Sequence, residues 1–389
     1  MYKDRTLPLM VVVTMSEWNE IPRFRHQVTR QLMRFFNVLY VVKRLNTKEE
    51  SVQVINNRLV IYKPYIMFPI HPRLYANDPI THTLANWLFN RKIQLKMNSI
   101  GIEPKILINF EPDYYKILKI KSFAAKIYIC NDEFPKMLTG FNRNKAKAWY
   151  QERLFTYYEK QVITLSDYCL TPHSPLVNRI KRTNKNVQLF LPGHEFIMNV
   201  RKKSLRKRKS PIKIGYMGFI TYYLLKDWLE EIAKSNDMVL YMIGPIEKFD
   251  ATIFNKYSNI NFIEAKRGNE LLSFLCSMDV LIIPNNTENP VVKVLSVPNK
   301  FFQYVASGKP VVISDMPHFI DMPSGVVYKA KNAKDFVNKI RLAFYEDSKD
   351  KKNLRFKIAS ENSWNKRGDI LFDLITNLIN RKEKEEKQI

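Results

Sequence analysis

Short apolar runs and helix-period segments alternate through the second half of the chain, and this constrains the fold more than any other feature. Pro211-Ile-Lys-Ile-Gly-Tyr-Met-Gly218 begins with a short apolar strand that ends in a Gly-bearing turn. Leu225, Trp228, Leu229 and Ile232 then recur at helical spacing within residues 224–234. Residues 238–243 read as a buried strand stopped by Gly244-Pro245, followed by a short strand at 260–263 and a helix at 269–278. A strand at 280–283 stops at Pro284, and a helix at 299–307 stops at Gly308. Strands at 311–314 and 326–328 complete the series. Strands this short, separated by helices, join as parallel neighbours through helical crossovers, giving a sheet covered on both faces. This is one Rossmann-like domain.

The first half alternates less regularly. Strands are expected at 9–14, 38–42, 105–109, 126–130, 168–171 and 187–191, and helices at 23–36, 82–97, 114–122 and 145–165. We read a second Rossmann-like domain, so the chain is α/β with two such domains facing across a cleft. A length of 389 residues suits two domains. The expected division is 1–198, a basic linker at 199–213, a second domain at 214–375, and a charged tail at 376–389. In open α/β sheets ligands sit beyond the carboxyl ends of the strands, so the loops that follow strands are where function is sought.

The formal net charge is +26, and it is unevenly spread. Residues 1–195 carry 30 Lys/Arg against 15 Asp/Glu, and residues 196–213 carry 8 against none. Residues 214–389 carry 25 against 22. A basic first half suits an anionic partner: a phosphorylated acceptor, nucleic acid, or an anionic membrane surface. The stretch at 145–160 and Tyr114-Tyr-Lys-Ile-Leu-Lys-Ile-Lys121 mix aromatic and basic residues, which suits a membrane interface; core packing with a solvated face explains them equally well. No RRM, KH or helix-turn-helix signature supports nucleic acid. No run of 18 apolar residues is present, and Leu9 to Met15 reads as a buried first strand rather than a signal peptide. Cys130, Cys169 and Cys276 are odd in number and far apart, which argues against a disulfide framework or zinc site and for a reducing compartment.

Several common chemistries lack their residues. The chain has no G-x-x-x-x-G-K-[ST], no G-x-G-x-x-G after a strand, no D-x-D, no H-E-x-x-H and no G-x-S-x-G. The six histidines are scattered, so no metal site is expected and none is assigned. The most specific stretch is Val297-Pro-Asn-Lys-Phe-Phe-Gln-Tyr-Val-Ala-Ser-Gly-Lys-Pro-Val-Val312. It resembles the Pro-Asn-Lys…Tyr-x-Ala-x-Gly-Lys-Pro-Val-Val signature of GT-B glycosyltransferases, specifically the family-4-like group that includes teichuronic-acid type enzymes. Ile214-Gly-Tyr-Met-Gly-Phe219, Val239-Leu-Tyr-Met-Ile-Gly-Pro245, Asp279-Val-Leu-Ile-Ile-Pro284 and Ser166-Asp-Tyr-Cys-Leu-Thr-Pro-His-Ser174 are similar to other parts of that group. Leu189-Phe-Leu-Pro-Gly-His-Glu195 is similar too, and Asn362-Ser-Trp364 resembles the start of its final helix, which closes back toward the N-terminal domain.

That resemblance implies a nucleotide-diphosphate sugar held by the second domain without a cofactor, and a glycan or lipid-linked acceptor held by the first. Asn299 and Lys300 would open a helix whose N–H groups and ammonium neutralise a diphosphate. Gly218 would let backbone approach the ligand, and Gly244 would end a strand where a nucleobase could stack. Gln303 stands where the family usually has Glu for ribose hydroxyls; it keeps the hydrogen bonds and loses the charge. The second glutamate expected eight residues earlier is replaced by Leu295, and Glu288 is the substitute considered for the sugar. Asp132, after a strand, is the candidate for contact with acceptor or transferred sugar, or else a helix N-cap. Arg23, Arg25 and His26 follow the first strand and are either a phosphate group's partners or plain helix surface. The catalytic assignments are Asp132 and Lys300.

The reading implied is a metal-independent glycosyltransferase in the cytoplasm, peripheral on the inner face of the membrane, serving cell-envelope polysaccharide. A polyol-phosphate transferase of the same fold and a catalytically silent scaffold that binds membrane or nucleic acid stand as alternatives.

Overall fold

The structure is a computed structural model, and it describes residues 2–44, 49–66, 78–135, 144–196 and 211–387. Most of the expected linker at 199–213 lies outside the described residues, as do the last two residues of the tail. Two compact units divide the chain: Met1–Leu191 with Arg367–Ile389, and Pro192–Lys366.

The first unit is built on an eight-stranded sheet. Its strands are β1 (Leu9–Thr14), β2 (Asn37–Val42), β3 (Ser51–Asn56), β4 (Leu59–Lys63), β5 (Pro104–Asn109), β6 (Ala125–Ile129), β7 (Tyr168–Thr171) and β8 (Val187–Leu189). The order is β3-β4-β2-β1-β5-β6-β7-β8, parallel except for β3 against β4. Central β1 is buried at every residue, because helices cover both faces of the sheet. Its register sets Val11 opposite Leu39 of β2 and Leu107 of β5.

Helix starts and stops follow local chemistry. Asp78 caps the helix Pro79–Ile100 by accepting from Thr81 N at 2.8 Å, and Gly101 ends it at φ +70°. Asn144 caps the helix Lys145–Leu165 through Lys147 N at 3.1 Å. The helix expected at 114–122 is instead a five-residue 3-10 turn, Tyr115–Lys119. Tyr114, Ile117 and Leu118 are buried in the core cluster, a spacing one tight turn satisfies. Strands β3 and β4 were not expected: β3 is a mostly exposed edge strand with no core face, whereas β4 is a short buried apolar run that the sequence reading passed over.

The second unit holds a six-stranded parallel sheet, ordered β13-β11-β9-β14-β15-β16. The strands are β9 (Ile212–Met217), β11 (Met238–Ile243), β13 (Ile260–Ile263), β14 (Val280–Ile283), β15 (Val311–Ser314) and β16 (Val327–Ala330). A small parallel pair, β10 (Ile220–Thr221) and β12 (Ile246–Glu247), extends the ends of β9 and β11. The final helix, Trp364–Glu386, starts in the second unit and returns to the first at Arg367. There Arg34 pairs with Asp369 at 2.9 Å and Phe35 stacks on Phe372 at 4.3 Å. Both units are Rossmann-like, and the C-terminal helix closes back on the N-terminal domain as expected.

Candidate active site

In the second unit, three residues singled out from sequence come together at the carboxyl ends of β9 and β11. Gly218 follows β9 with φ +123°, and Gly244 follows β11 with φ +137°. Both lie in a region that a side chain rarely adopts. At Gly244 space also requires glycine, because a Cβ there meets backbone. A Cβ on Gly244 would stand 2.8 Å from the Gly218 carbonyl carbon, and a Cβ on Gly218 would stand 2.9 Å from Lys300 Nζ. Lys300 therefore lies directly on the Gly218 backbone.

Lys300 Nζ donates to Tyr216 Oη at 2.7 Å and lies 3.9 Å from the centre of that ring. Tyr216 Oη in turn donates to Phe219 O at 2.7 Å. No acid pairs with Lys300 among the described residues, and burial pushes its ammonium down to about 7. The Gly218 shelf thus carries a partly buried amine with no acidic partner among the described residues, ready to be protonated beside an anion. Tyr304 fixes the element that supplies it: its hydroxyl accepts from Met217 N at 2.6 Å, tying the helix Phe301–Ala306 to the end of β9. Tyr216 and Tyr304 were missed in the sequence reading, because a buried tyrosine looks like core until its hydroxyl's partner is known.

Asn299 is exposed, and the helix begins at Phe301 with Lys300 as its first flanking residue. Gln303 is half-buried, and its side chain makes no hydrogen bond among the described residues. Glu288 is exposed and pairs with Lys293 at 3.0 Å. No contact ties it to Lys300, Gly218 or Gly244 among the described residues. Asn285, also beyond the end of β14, is buried with Oδ1 unpartnered.

The first unit gathers a different set at the ends of β1, β5 and β6. Arg25 donates to Thr14 Oγ1 at 3.0 Å, while its Nε is buried without a partner. Its charge acts on both Glu111 and Asp132. Burial raises the Asp132 carboxyl above its ordinary value, against the pull of Arg25 and Arg23. Arg23 pairs with Glu20 at 3.3 Å. His26 is committed to the chain. Arg23 N donates to its Nδ1 at 3.0 Å and its Nε2 donates to Glu17 O at 2.8 Å. Burial lowers its affinity for a proton, and with both nitrogens taken by backbone it holds the turn and has none left for a phosphate.

Glu111 was not singled out from sequence. It is 1% exposed, its Oε1 accepts from Met15 N at 2.7 Å, and its Oε2 has no partner. Burial pushes this carboxyl up to about 7. Asn109, the last residue of β5, holds the Glu111 backbone through two 3.0 Å bonds. Nearby Asp113 bonds Lys43 at 2.9 and 3.0 Å and His82 at 3.3 Å. Burial alone would raise Asp113, but the Lys43 ammonium and His82 hold it well below the usual carboxylate range. The available signal was Phe110-Glu-Pro-Asp113 directly after an apolar strand, the same pattern that drew attention to Asp132. A hollow of about 610 Å³ in this unit, lined by Leu95, Met97, Gly101, Pro104, Ile120 and Ser122, lies near the opposite ends of β5 and β6 and takes no part in this cluster. Among the described residues no three His, Cys, Asp or Glu gather to hold a metal.

Comparison of the whole chain with solved structures is decisive for the fold. A sucrose-phosphate synthase from Thermosynechococcus elongatus matches with a TM-score of 0.69 at 11% identity, over 96% of this chain and 100% of that one. The chain has the GT-B fold. The same GT-B architecture is shared with an alpha,alpha-trehalose-phosphate synthase (UDP-forming) from Burkholderia vietnamiensis, with a TM-score of 0.63 at 9% identity over 95% and 97% of the two chains. A structure described as trehalose-6-phosphate from E. coli bound with UDP-2-fluoro glucose gives a TM-score of 0.63 at 9% identity, over 94% and 98%. Residues 213–345, within the second GT-B unit, match the family model Glycosyl transferases group 1. No curated protein sequence matches the chain.

Proposed function

We propose that this protein is a glycosyltransferase that moves a sugar from a nucleotide-diphosphate sugar onto a glycan or lipid-linked acceptor. The observation that carries this reading is Lys300, a half-buried amine without an acidic partner among the described residues, on the shelf made by Gly218 and Gly244. The match of residues 213–345 to a glycosyltransferase family supports it. The second unit holds the donor. Its diphosphate lies against Lys300, and Gln303 meets the ribose. Transfer breaks the bond from the sugar's anomeric carbon to the diphosphate oxygen and makes one to an acceptor hydroxyl oxygen, whose proton passes to the departing diphosphate. Charge builds on the leaving diphosphate, and a positioned ammonium stabilises it there without a metal ion. Glu288, on the loop after β14, is the further donor contact proposed for the sugar.

The first unit holds the acceptor, with Asp132 and Arg25 as its contacts and Arg23 beside them. The basic charge of this half suits an acceptor carried on a lipid at the cytoplasmic face of a membrane, as in synthesis of cell-envelope polysaccharide. A thermal-shift screen over common nucleotide sugars tests the reading, followed by assay of nucleoside diphosphate release with lipid extracts. Stabilisation by one nucleotide sugar and by its free diphosphate is expected. Indifference to every nucleotide sugar would instead favour a silent scaffold.

A further inference from the structure

The helix Pro79–Ile100 is apolar on two opposite faces. Its inner face sends Ala85, Phe89, Ile93 and Met97 into the core of the first unit. Its outer face carries Ile80, Leu84, Trp87 and Leu95, which are 78%, 48%, 50% and 59% exposed. Their spacing of four, three and eight residues sets them in one stripe. Arg91 falls in the same stripe, with its guanidinium 5.8 Å from the Trp87 ring. The helix contains no Asp or Glu.

A second helix continues this surface. His82 stacks on Tyr158 of the helix Lys145–Leu165 at 3.8 Å, and the turn Tyr115–Lys119 packs against both helices, with Tyr115 stacked on both rings. Val162 and Ile163 of that helix enter the same core cluster as Phe89 and Ile93, so both helices cover one side of the sheet and face outward together. Trp149, Tyr150 and Tyr157 stand exposed on it, and Arg153 lies 4.8 Å from the Trp149 ring. Lys145, Lys147 and Lys160 are exposed around them.

We propose that the joint outer face of these two helices docks on an anionic lipid bilayer. Tryptophan and tyrosine suit the headgroup boundary, with an apolar body and a polar tip, and interleaved Lys and Arg meet anionic headgroups. The charge matches this occupant: residues 1–195 hold 30 Lys/Arg against 15 Asp/Glu. The inference deepens the proposed function by naming the surface that would bring the enzyme to a lipid-linked acceptor, and rests on that reading only for its purpose.

The test is sedimentation of the full chain with phosphatidylcholine vesicles, with and without about 30% phosphatidylglycerol. Binding to the anionic vesicles is expected, with weakening but not loss as salt rises. Quenching of the exposed tryptophans by brominated lipid is expected too. Trp87→Ser with Trp149→Ser should lower vesicle affinity by about tenfold or more, because both side chains are exposed and their loss leaves the core intact. Absence of binding to anionic vesicles, or binding unchanged in the double variant, overturns the proposal. So does a wild-type dimer that the double variant converts to monomer, which would make this face an interface between two copies. Donor binding measured without vesicles tests the glycosyltransferase reading separately, so either can fail alone.

Discussion

Gly244 and Gly218 approach so closely that a Cβ on Gly244 would stand 2.8 Å from the Gly218 carbonyl carbon. Gly218 N also donates to Ile243 O at 2.9 Å, so the two turns form one rigid shelf under Lys300. Gly244→Ala is expected to cost on the order of 2–4 kcal/mol, from both the steric clash and the φ of +137°. Urea unfolding measures it. A loss below about 0.5 kcal/mol would mean that the shelf yields easily.

Lys300→Ala should leave the thermal transition in place and cut turnover by about 10²–10³. Removing a half-buried amine without an acidic partner does not orphan an acid, so the fold has little to lose. Turnover within about threefold of wild type would place the diphosphate elsewhere.

Much of the second unit was legible in the sequence. Strands at Met238–Ile243 and Val280–Ile283 are apolar runs closed by Gly244 and Pro284, and Val280–Ile283 and Val311–Ser314 are buried at every residue. Gly218, Gly244 and Lys300 were legible because backbone geometry demands glycine and a signature surrounded the lysine. What stayed hidden depended on partners distant in sequence. Tyr304 reaches Met217 across 87 residues, and Glu111 reaches Met15 across 96. His26 was read as either a phosphate partner or plain helix surface, because its place after a strand was visible and its two backbone bonds were not.

Glu111→Gln should change how stability depends on pH. Burial raises the folded-state value of Glu111 from 4.5 to about 7, so the folded protein binds more protons between those values. Its contribution is therefore full below pH about 4.5 and lost as pH rises through about 7. The glutamine keeps an acceptor for Met15 N and has no charge to desolvate. The variant should match wild type near pH 5 and exceed it at pH 8 by on the order of 2 kcal/mol. Denaturant titrations at both pH values check this, and a variant weaker at pH 8 would show that the carboxylate is stabilised in the fold.

Gln303→Glu should preserve or improve donor affinity, since a carboxylate accepts from two ribose hydroxyls. Calorimetry with the donor found by screening reads the change. Abolished binding would show that Gln303 is adapted to a different ligand.

The central claim is that a diphosphate is held by Lys300, and proton uptake on binding tests it most directly. Burial lowers Lys300 from 10.5 to about 7 in the free protein. Between those values the unfolded chain binds the additional proton, so this group's contribution to stability rises with pH across that window. A diphosphate set against the ammonium reverses the depression and draws a proton in. Titration calorimetry with a nucleoside diphosphate, run at pH about 8 in buffers of different ionisation enthalpy, should show uptake approaching one proton per site. The uptake should shrink at pH about 6 and vanish in Lys300→Met, whose affinity falls by about tenfold or more. Wild-type binding without proton uptake at pH about 8, or equal affinity in Lys300→Met, would contradict the account.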